Sequence, residues 1–206
     1  MSEDISPTEN KIITAATSVF LKKGKYGARM QEIADLAGIN KALLHYYFRS
    51  KEKLYRYIFK LEIGKFLTTL FSTLKPIDDI YQLIQIFINN YIDQLYKNPQ
   101  IIRFFMWELH HGGESLKDVF EELTITKSKP GIFPIIQKIE FAIQQKQIKK
   151  VDAQHLFFSI IGMCVYVFIA QPLLETIIPN LDIMNPKFIE KRKIEILSLL
   201  WNGLKP

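Results

Sequence analysis

Apolar residues recur at i, i+3 and i+4 along most of this 206-residue chain, whereas the alternating pattern typical of strands is rare. The clearest example runs from Ile80 to Leu95, where eight apolar side chains share one face until Asn98 and Pro99 stop the helix. The pattern predicts an all-α fold.

Capping residues and glycines divide the first third of the chain into four predicted helices. Ser6 is expected to cap a first helix that ends at Gly24, and Gly38 separates a second helix from a third that Asn40 caps. The second helix is expected over Met30 to Ala37, the third to about Phe48, and the fourth from the Ser50 cap to about Leu74.

The remaining apolar segments predict helices over residues 100–111, 115–123 and about 130–149, and in the run after Asp152. A loop that holds Pro179 should follow. A last helix is expected to start at Asn185 and to end before Gly203.

Positive charge is concentrated near the N-terminus. Residues 11–60 contain 11 Lys and Arg against Glu32, Asp35 and Glu52, a balance of +8, whereas the chain from Leu61 onward has 16 basic and 15 acidic residues. This asymmetry indicates an anionic partner for the N-terminal part. A solvated lysine-rich face is the alternative.

Several other functions are excluded or disfavoured by composition. The single cysteine, Cys164, rules out an intramolecular disulfide and a multi-cysteine metal site. Patterns for a serine hydrolase, a P-loop, a zinc protease or a dinucleotide site are absent, so we expect neither enzyme activity nor a cofactor. Glu108, His110 and His111 resemble metal ligands, but the adjacent side chains of His110 and His111 diverge on a helix, and a cluster at a Gly-Gly helix end is expected at the surface.

The N-terminus lacks the layout of a signal peptide, so a cytoplasmic protein is expected. Residues 156–170 are apolar apart from Ser159, but fifteen helical residues span only about 22 Å, short of the ~30 Å hydrocarbon core. We therefore expect a buried helix or a subunit interface and no membrane partner.

Residues 30–48 carry the spacing of a helix-turn-helix. Ala34 is small enough for two helices to approach, Gly38 permits a left-handed turn, and Leu44 fills the shared core. With Leu44 and Phe48 facing inward, an outward set remains that could enter a DNA major groove, with Leu43 at its edge: Lys41, Ala42, His45 and Tyr46. Tyrosine, histidine and lysine donate to phosphates, and small apolar residues can approach base edges. Alternatively, Tyr46 and Tyr47 pack against the first helix.

Residues 8–60 closely resemble the DNA-binding region of TetR-family transcriptional regulators, through the runs IITAATSVFLKKG and MQEIADLAGINKALLHYYFRSKEKLY. The resemblance implies that Lys41, Ala42, Leu43, His45 and Tyr46 face the groove and that Lys51 contacts phosphate; Tyr47 joins this predicted DNA-binding set. In one departure, Ala28 and Arg29 stand where family members commonly have Thr or Ser. Arg29 could replace the phosphate contact by charge, but the capping bond is lost.

The resemblance also implies a second, all-helical domain that pairs two subunits and binds a small effector. The predicted organisation is a three-helix DNA-binding domain over residues 1–50 and an effector-binding and dimerisation domain over 51–206. The apolar faces of the two last long helices are expected to form a four-helix interface between subunits, through Phe157, Ile161, Val165, Phe168, Ile189, Ile196 and Leu200. The alternative is a helix in a monomer core.

An unusual amount of aromatic surface with few charges predicts a pocket for a mostly apolar ligand. The candidate lining residues are Phe87, Tyr91, Phe104, Phe105, Trp107, His110, Phe133, Met163 and Tyr166. The sequence thus predicts a homodimeric regulator, a repressor of a palindromic operator on double-stranded DNA that a small effector releases. A DNA-binding dimer without effector is the alternative.

Overall fold

The structure, a computed structural model, describes residues 6–72, 77–125 and 133–206. These ranges contain eleven α-helices and no strand, which confirms the predicted all-α class. The helices are α1 (Pro7–Gly27), α2 (Met30–Ala37), α3 (Lys41–Tyr47), α4 (Lys51–Ser72), α5 (Ile80–Lys97), α6 (Pro99–His110), α7 (Glu114–Ile125), α8 (Phe133–Gln144), α9 (Ala153–Ile169), α10 (Gln171–Ile177) and α11 (Pro186–Leu204).

Most predicted boundaries agree with the structure to within a few residues. Helical geometry in α1 breaks at Gly24, whose φ of 66° and ψ of −179° are not helical, and a further short turn follows. The predicted end near Lys149 is wrong, because α8 ends at Gln144 and Lys146 takes a left-handed φ of 57°. Helix α10 replaces part of the predicted loop. The ends predicted at Leu74 and Pro130 lie outside the described residues.

The chain divides into two compact units. The first takes in residues up to Lys65 together with Gln100–Glu121, and the second comprises Phe66–Pro99 and Glu122–Pro206. In this division α6 and the start of α7 belong with the N-terminal helices. The predicted boundary after residue 50 stays a prediction.

The core of the first unit is built from the apolar faces of the N-terminal helices. The apolar face of α1 is buried, as are the apolar residues of α2, α3 and α4 that surround it: Ile12, Ala16, Val19, Phe20, Ile33, Ala34, Leu44, Leu54, Tyr55, Ile58 and Phe59. The edge of the Phe20 ring meets Tyr55 at a centroid distance of 5.2 Å. The shared core holds α2 and α3 against α1 and α4.

In the second unit, α5 packs against α9 and α11, and α8 packs against α5 and α9. The cross-helix contacts include aromatic pairs and an ion pair in which Lys193 is buried and Asp93 is partly exposed. Lys193 of α11 donates to Asp93 of α5 at 2.6 Å and to Glu190 of its own helix at 2.5 Å. Because a buried lysine needs a counterion, this cluster fixes α11 against α5.

Among the described residues, no single helix is long and apolar enough to cross a membrane. The apolar run predicted after Asp152 forms α9, and α9 with α10 would pass a test of length and composition only as a pair bent by 66°.

Candidate nucleic-acid interface

The turn between α2 and α3 has the geometry that its sequence predicts. Gly38 adopts a left-handed conformation with φ 67° and ψ 36°, which an L-residue reaches only at a cost. The backbone N–H of Ile39 then donates to the Ala34 carbonyl at 3.0 Å. Because Ala34 and Leu44 are fully buried, α2 and α3 share a core and form a helix-turn-helix.

Helix α3 is short and is held at both ends. The Asn40 side chain accepts from the backbone N–H of Leu43 at 2.8 Å, which caps the helix. Leu44 and Phe48 face the core, as predicted.

The outer face of α3 carries the predicted groove residues. Lys41 and Ala42 are exposed, Leu43 is 37% exposed and Tyr46 71% exposed. His45 is half-buried, and its Nδ1 lies 3.3 Å from the Arg49 carbonyl. A face with small and apolar side chains in the middle and donors at its edges suits a major groove.

Tyr47 points back to the start of α1. Its hydroxyl lies 3.3 Å from Ser6 Oγ, which also caps α1 by accepting from the Glu9 N–H at 3.1 Å. Its ring meets Tyr46 edge-on at 5.5 Å. This geometry favours the packing alternative for Tyr47, whose contact with DNA stays a prediction.

The corner before α2, at Ala28 and Arg29, contains one contact that the sequence did not predict, a hydrogen bond from Lys51. Arg29 occupies the N-cap position and makes no capping bond, as expected from its side chain, and it is exposed. Lys51 donates from Nζ to the Ala28 carbonyl at 3.2 Å. Lys51 therefore braces this corner, a role that no spacing in the sequence indicates, and its two other N–H groups remain available to phosphate.

Some of the basic side chains of the first four helices are paired with carboxylates and others are not. Lys23 pairs with Glu32 at 2.6 Å and Lys25 with Glu52 at 2.5 Å. Arg29, Lys41 and Arg49, by contrast, have no carboxylate partner among the described residues. Their positive charge is therefore available to an anion near the ends of α3.

Glu108 lies in the interior, so the prediction that it is at the surface is wrong. Its carboxylate is buried, with the residue 5% exposed, and accepts from the Tyr55 hydroxyl at 3.2 Å and the Ser115 backbone N–H at 2.8 Å. Burial, followed by the charge of Glu108, raises the pKa of Tyr55, so the phenol stays a donor. His110 and His111 are exposed, as expected, and the part of the chain that the structure describes holds no cluster of three or more potential metal ligands.

The predicted effector residues fall into both units. Phe104, Phe105, Trp107 and the exposed His110 belong to the first unit, where Phe104 and Trp107 both contact the Tyr55 ring at 5.3 Å. The others belong to the second unit: Phe87, Tyr91, Met163 and the exposed Tyr166. The side chain of Phe133 lies outside the described part of the chain.

One aromatic group of the second unit gathers two of these residues. Tyr91 contacts Phe66 at 5.9 Å and Phe87 at 5.8 Å, and Phe87 contacts Phe157 at 5.9 Å. The structure thus brings Phe87 and Tyr91 together and joins them to Phe66 and Phe157, which the sequence analysis did not assign to a pocket.

Of the predicted pairing residues, Ile161 and Val165 are half-buried. The rest lie in the interior of the subunit: Phe157, Phe168, Ile189, Ile196 and Leu200. The outer faces of α9 and α11 expose other apolar side chains, with Phe158 at 62% and Leu199 at 69%, along with Tyr166 and Ile194. The apolar residues that recur with helical spacing in the sequence are therefore those that pack in the interior of the subunit. Pairing itself stays a prediction.

Arg192, on α11, is a polar residue that sequence reasoning missed. It donates from Nη2 to the Met163 carbonyl of α9 at 2.8 Å, while its Nε–H is buried without an acceptor among the described residues. Arg192 lies between the exposed Lys191 and the buried Lys193 in a run of basic residues, and such a run gives no sequence signal for this contact.

An exposed recognition helix, a left-handed turn and surrounding free cations define a helix-turn-helix DNA-binding protein. The family model described as "Bacterial regulatory proteins, tetR family" matches residues 12–58, and one described as "Tetracyclin repressor-like, C-terminal domain" matches residues 76–199. The chain belongs to the TetR family of bacterial transcriptional regulators. Membership in this family confirms the expectation that the chain is a DNA-binding regulator and not an enzyme.

Relatives and solved structures agree with this assignment. The HTH-type transcriptional regulator RutR of Escherichia coli K12 is 31% identical over 162 residues, 77% of this chain and 73% of RutR. The fold is similar to that of AibR in complex with isovaleryl coenzyme A and operator DNA (TM-score 0.73, 18% identity, 95% of this chain and 99% of AibR). It is also similar to FadR of Bacillus subtilis in complex with stearoyl-CoA (TM-score 0.68, 18% identity, 94% and 98%).

Proposed function

We propose that this regulator is a repressor that binds a palindromic operator as a homodimer and leaves it when a small, mostly apolar effector binds. The observation that carries the proposal is the outer face of α3, where Ala42 and Leu43 are exposed between cations without carboxylate partners among the described residues.

The DNA contacts divide into two kinds. Ala42 and Leu43 supply apolar contact to base edges such as the thymine methyl, and Tyr46 lies beside them. Lys41, Arg29 and the remaining donors of Lys51 contact phosphates, which orient the helix without reading sequence.

Pairing through the outer faces of α9 and α11 would explain why apolar side chains such as Phe158 and Leu199 are exposed there. Two subunits related by a two-fold axis would present two copies of α3 to a palindrome. Sedimentation at several protein concentrations tests this, since Leu199→Glu should shift the chain to monomer and the exposed Lys150→Glu should not.

The effector would bind in the second unit, next to the aromatic group of Phe66, Phe87, Tyr91 and Phe157. Aromatic walls suit an apolar ligand with few polar anchors. The dimer would have two arrangements, one that spans both half-sites of the operator and one that does not. An effector that binds the second arrangement more tightly lowers the affinity for DNA, by at most the ratio of its affinities for the two arrangements. Acyl-CoA thioesters, found in the solved AibR and FadR complexes, are one probe class.

The DNA part is tested with fragments that the purified protein retains from genomic DNA. Affinity should fall steeply between ~50 and 200 mM salt, and Lys41→Ala should reduce the slope of log affinity against log salt by about 0.9. Leu43→Ala should weaken binding to the selected fragment more than to random DNA. Lys150→Ala, an exposed lysine of the second unit, is the matched control. Binding that hardly changes with salt would contradict the phosphate contacts.

The regulatory part is tested in cells and with ligand. Deleting the gene should raise transcription from the retained promoters, and a ligand that raises the Tm should lower the affinity of the protein for its operator. If transcription falls on deletion, the protein is an activator. If no ligand of any class raises the Tm, the effector-independent dimer is the better account.

A further inference from the structure

His45 lies in the second turn of α3, and one of its two ring nitrogens already has a partner. Its Nδ1 lies 3.3 Å from the backbone carbonyl oxygen of Arg49. A carbonyl oxygen only accepts hydrogen bonds, so Nδ1 must carry a proton and donate. No other hydrogen bond to this carbonyl is found in the described part of the chain. The contact therefore ties the ring to the end of α3.

The same contact decides what the other ring nitrogen can do. A neutral imidazole carries a single ring proton, and the hydrogen bond made by one nitrogen determines where that proton is. With Nδ1 protonated, Nε2 has a lone pair and is an acceptor. It lies across the ring from Nδ1 and has no hydrogen-bond partner among the described residues. His45 thus presents an acceptor, whereas Lys41, one turn earlier on α3, presents only donors.

His45 lies beside the part of α3 that has the shortest side chain. Ala42 is exposed, and residues three positions apart are neighbours on the surface of a helix. The adjacent Leu44 is fully buried and fixes the opposite side of the helix against the core. Because alanine is short, a base edge that approaches Ala42 comes within reach of the His45 ring.

An outward acceptor is unsuited to a phosphate and suited to a base. Phosphate oxygens are themselves acceptors, so a neutral histidine with its proton on Nδ1 has nothing to donate to them from Nε2. In the major groove the donors are the exocyclic amino groups, N6 of adenine and N4 of cytosine, whereas guanine and thymine present acceptors there. This tautomer therefore distinguishes two bases from the other two.

We propose that His45 is a specificity-determining residue whose Nε2 accepts a hydrogen bond from the exocyclic amino group of an adenine or a cytosine in each half-site. The Arg49 carbonyl is the positioning group, since it holds the ring and its tautomer. The inference rests on the proposed binding of operator DNA and adds the chemistry of one base contact. It replaces the phosphate contact that histidine as a residue type predicts.

The test removes single amino groups from an operator fragment that the full-length protein retains. Purine replaces each adenine in turn, and 2-pyrimidinone replaces each cytosine, so that only the amino group is lost. Titrations are made at about pH 8, above the range in which histidines usually titrate. Removal at one position of the half-site should weaken wild-type binding about tenfold. His45→Ala should bind the intact operator less tightly and should not respond to that change.

Matched variants separate base reading from a purely structural role. His45→Gln keeps an acceptor oxygen and should retain part of the discrimination, whereas His45→Lys has only donors and should transfer the preference to guanine. Lys41→Ala should weaken binding to the intact and altered operators equally, because a phosphate contact carries no sequence information. In the free protein, NMR of the ring nitrogens should place the proton of His45 on Nδ1.

Three results would overturn the inference: a proton on Nε2, wild-type binding that tolerates the loss of every amino group, or a loss as large in His45→Ala as in wild type. In the last case His45 only closes the end of α3, and its replacement lowers the Tm without changing which bases are preferred.

Failure of the proposed function gives a different pattern. A protein that retains no DNA refutes both proposals. A protein that binds selected fragments in a salt-dependent way, but without coupling between His45 and an amino group, refutes the base contact alone. If the coupling is found and deletion of the gene does not raise transcription, the base contact stands and repression fails.

Discussion

Replacing Tyr55 by phenylalanine deletes one hydroxyl from a wholly buried ring and tests the hydrogen bond to Glu108. The hydroxyl donates to Glu108 Oε2 at 3.2 Å, and the other oxygen of this buried carboxylate accepts from the Ser115 N–H at 2.8 Å. Hydrogen bonds to charged groups contribute about 1.5–3 kcal/mol. Because 3.2 Å is long for a bond between a hydroxyl and a carboxylate, the lower part of that range applies, about 1.5–2 kcal/mol.

Urea unfolding at one fixed protein concentration measures this loss. Tyr55→Phe should lower the free energy of unfolding by that amount, and combining it with Glu108→Gln should cost less than the sum of the two single changes by about 1 kcal/mol or more. Tyr26→Phe is the matched control, since its ring is exposed and its hydroxyl has no partner among the described residues. A Tyr55→Phe variant within about 0.5 kcal/mol of wild type would refute the reasoning.

Four other substitutions test single features by urea unfolding. Gly38→Ala should cost about 1 kcal/mol through its left-handed φ alone, whereas Gly64→Ala, inside α4 with open space around it, should stabilise by a similar amount. Arg29→Asn should supply the missing cap and stabilise by about 0.5–1 kcal/mol, while operator affinity, measured by titration, falls. Asp93→Ala should destabilise by about 1–2 kcal/mol at neutral pH, because Asp93 is partly exposed. Burial lowers the pKa of Lys193, but its hydrogen bonds to Asp93 and Glu190 raise it more, so that its pKa in the folded protein lies above the ordinary value of 10.5. The stability that this ion pair contributes is therefore fully present below pH 10.5 and should be lost as the pH rises further.

The helix-turn-helix could be predicted from sequence because its determinants act over a few residues. Gly38 sets the turn by its own φ, and Asn40 caps α3 by accepting from the backbone N–H of Leu43, three residues further on. The helical period places Leu44 on the inner face of α3. None of these depends on a distant part of the chain. The outer face of α3 follows from the same period once its inner face is known.

Features that depend on distant segments were not predictable in this way. Glu108 is buried because Tyr55, 53 residues away, supplies a donor, and no local pattern indicates that pair. Arg192 meets α9 across 29 residues. For α9 the sequence shows an almost continuous apolar run, which does not distinguish the side chains that face the subunit core, such as Phe157, from those that face outward, such as Phe158.

The corner at Ala28 and Arg29 shows how one departure from the family pattern is accommodated. A capping side chain at the start of α2 would satisfy a backbone N–H, and Arg29 provides no such bond. Lys51 holds the corner instead by donating to the Ala28 carbonyl from the first turn of α4, so the arrangement no longer depends on the residue at position 29. The guanidinium of Arg29 is then exposed and has no carboxylate partner among the described residues, and its charge can serve a phosphate. Stability and DNA affinity are therefore in opposition at this one position, which is why Arg29→Asn should improve the first and weaken the second.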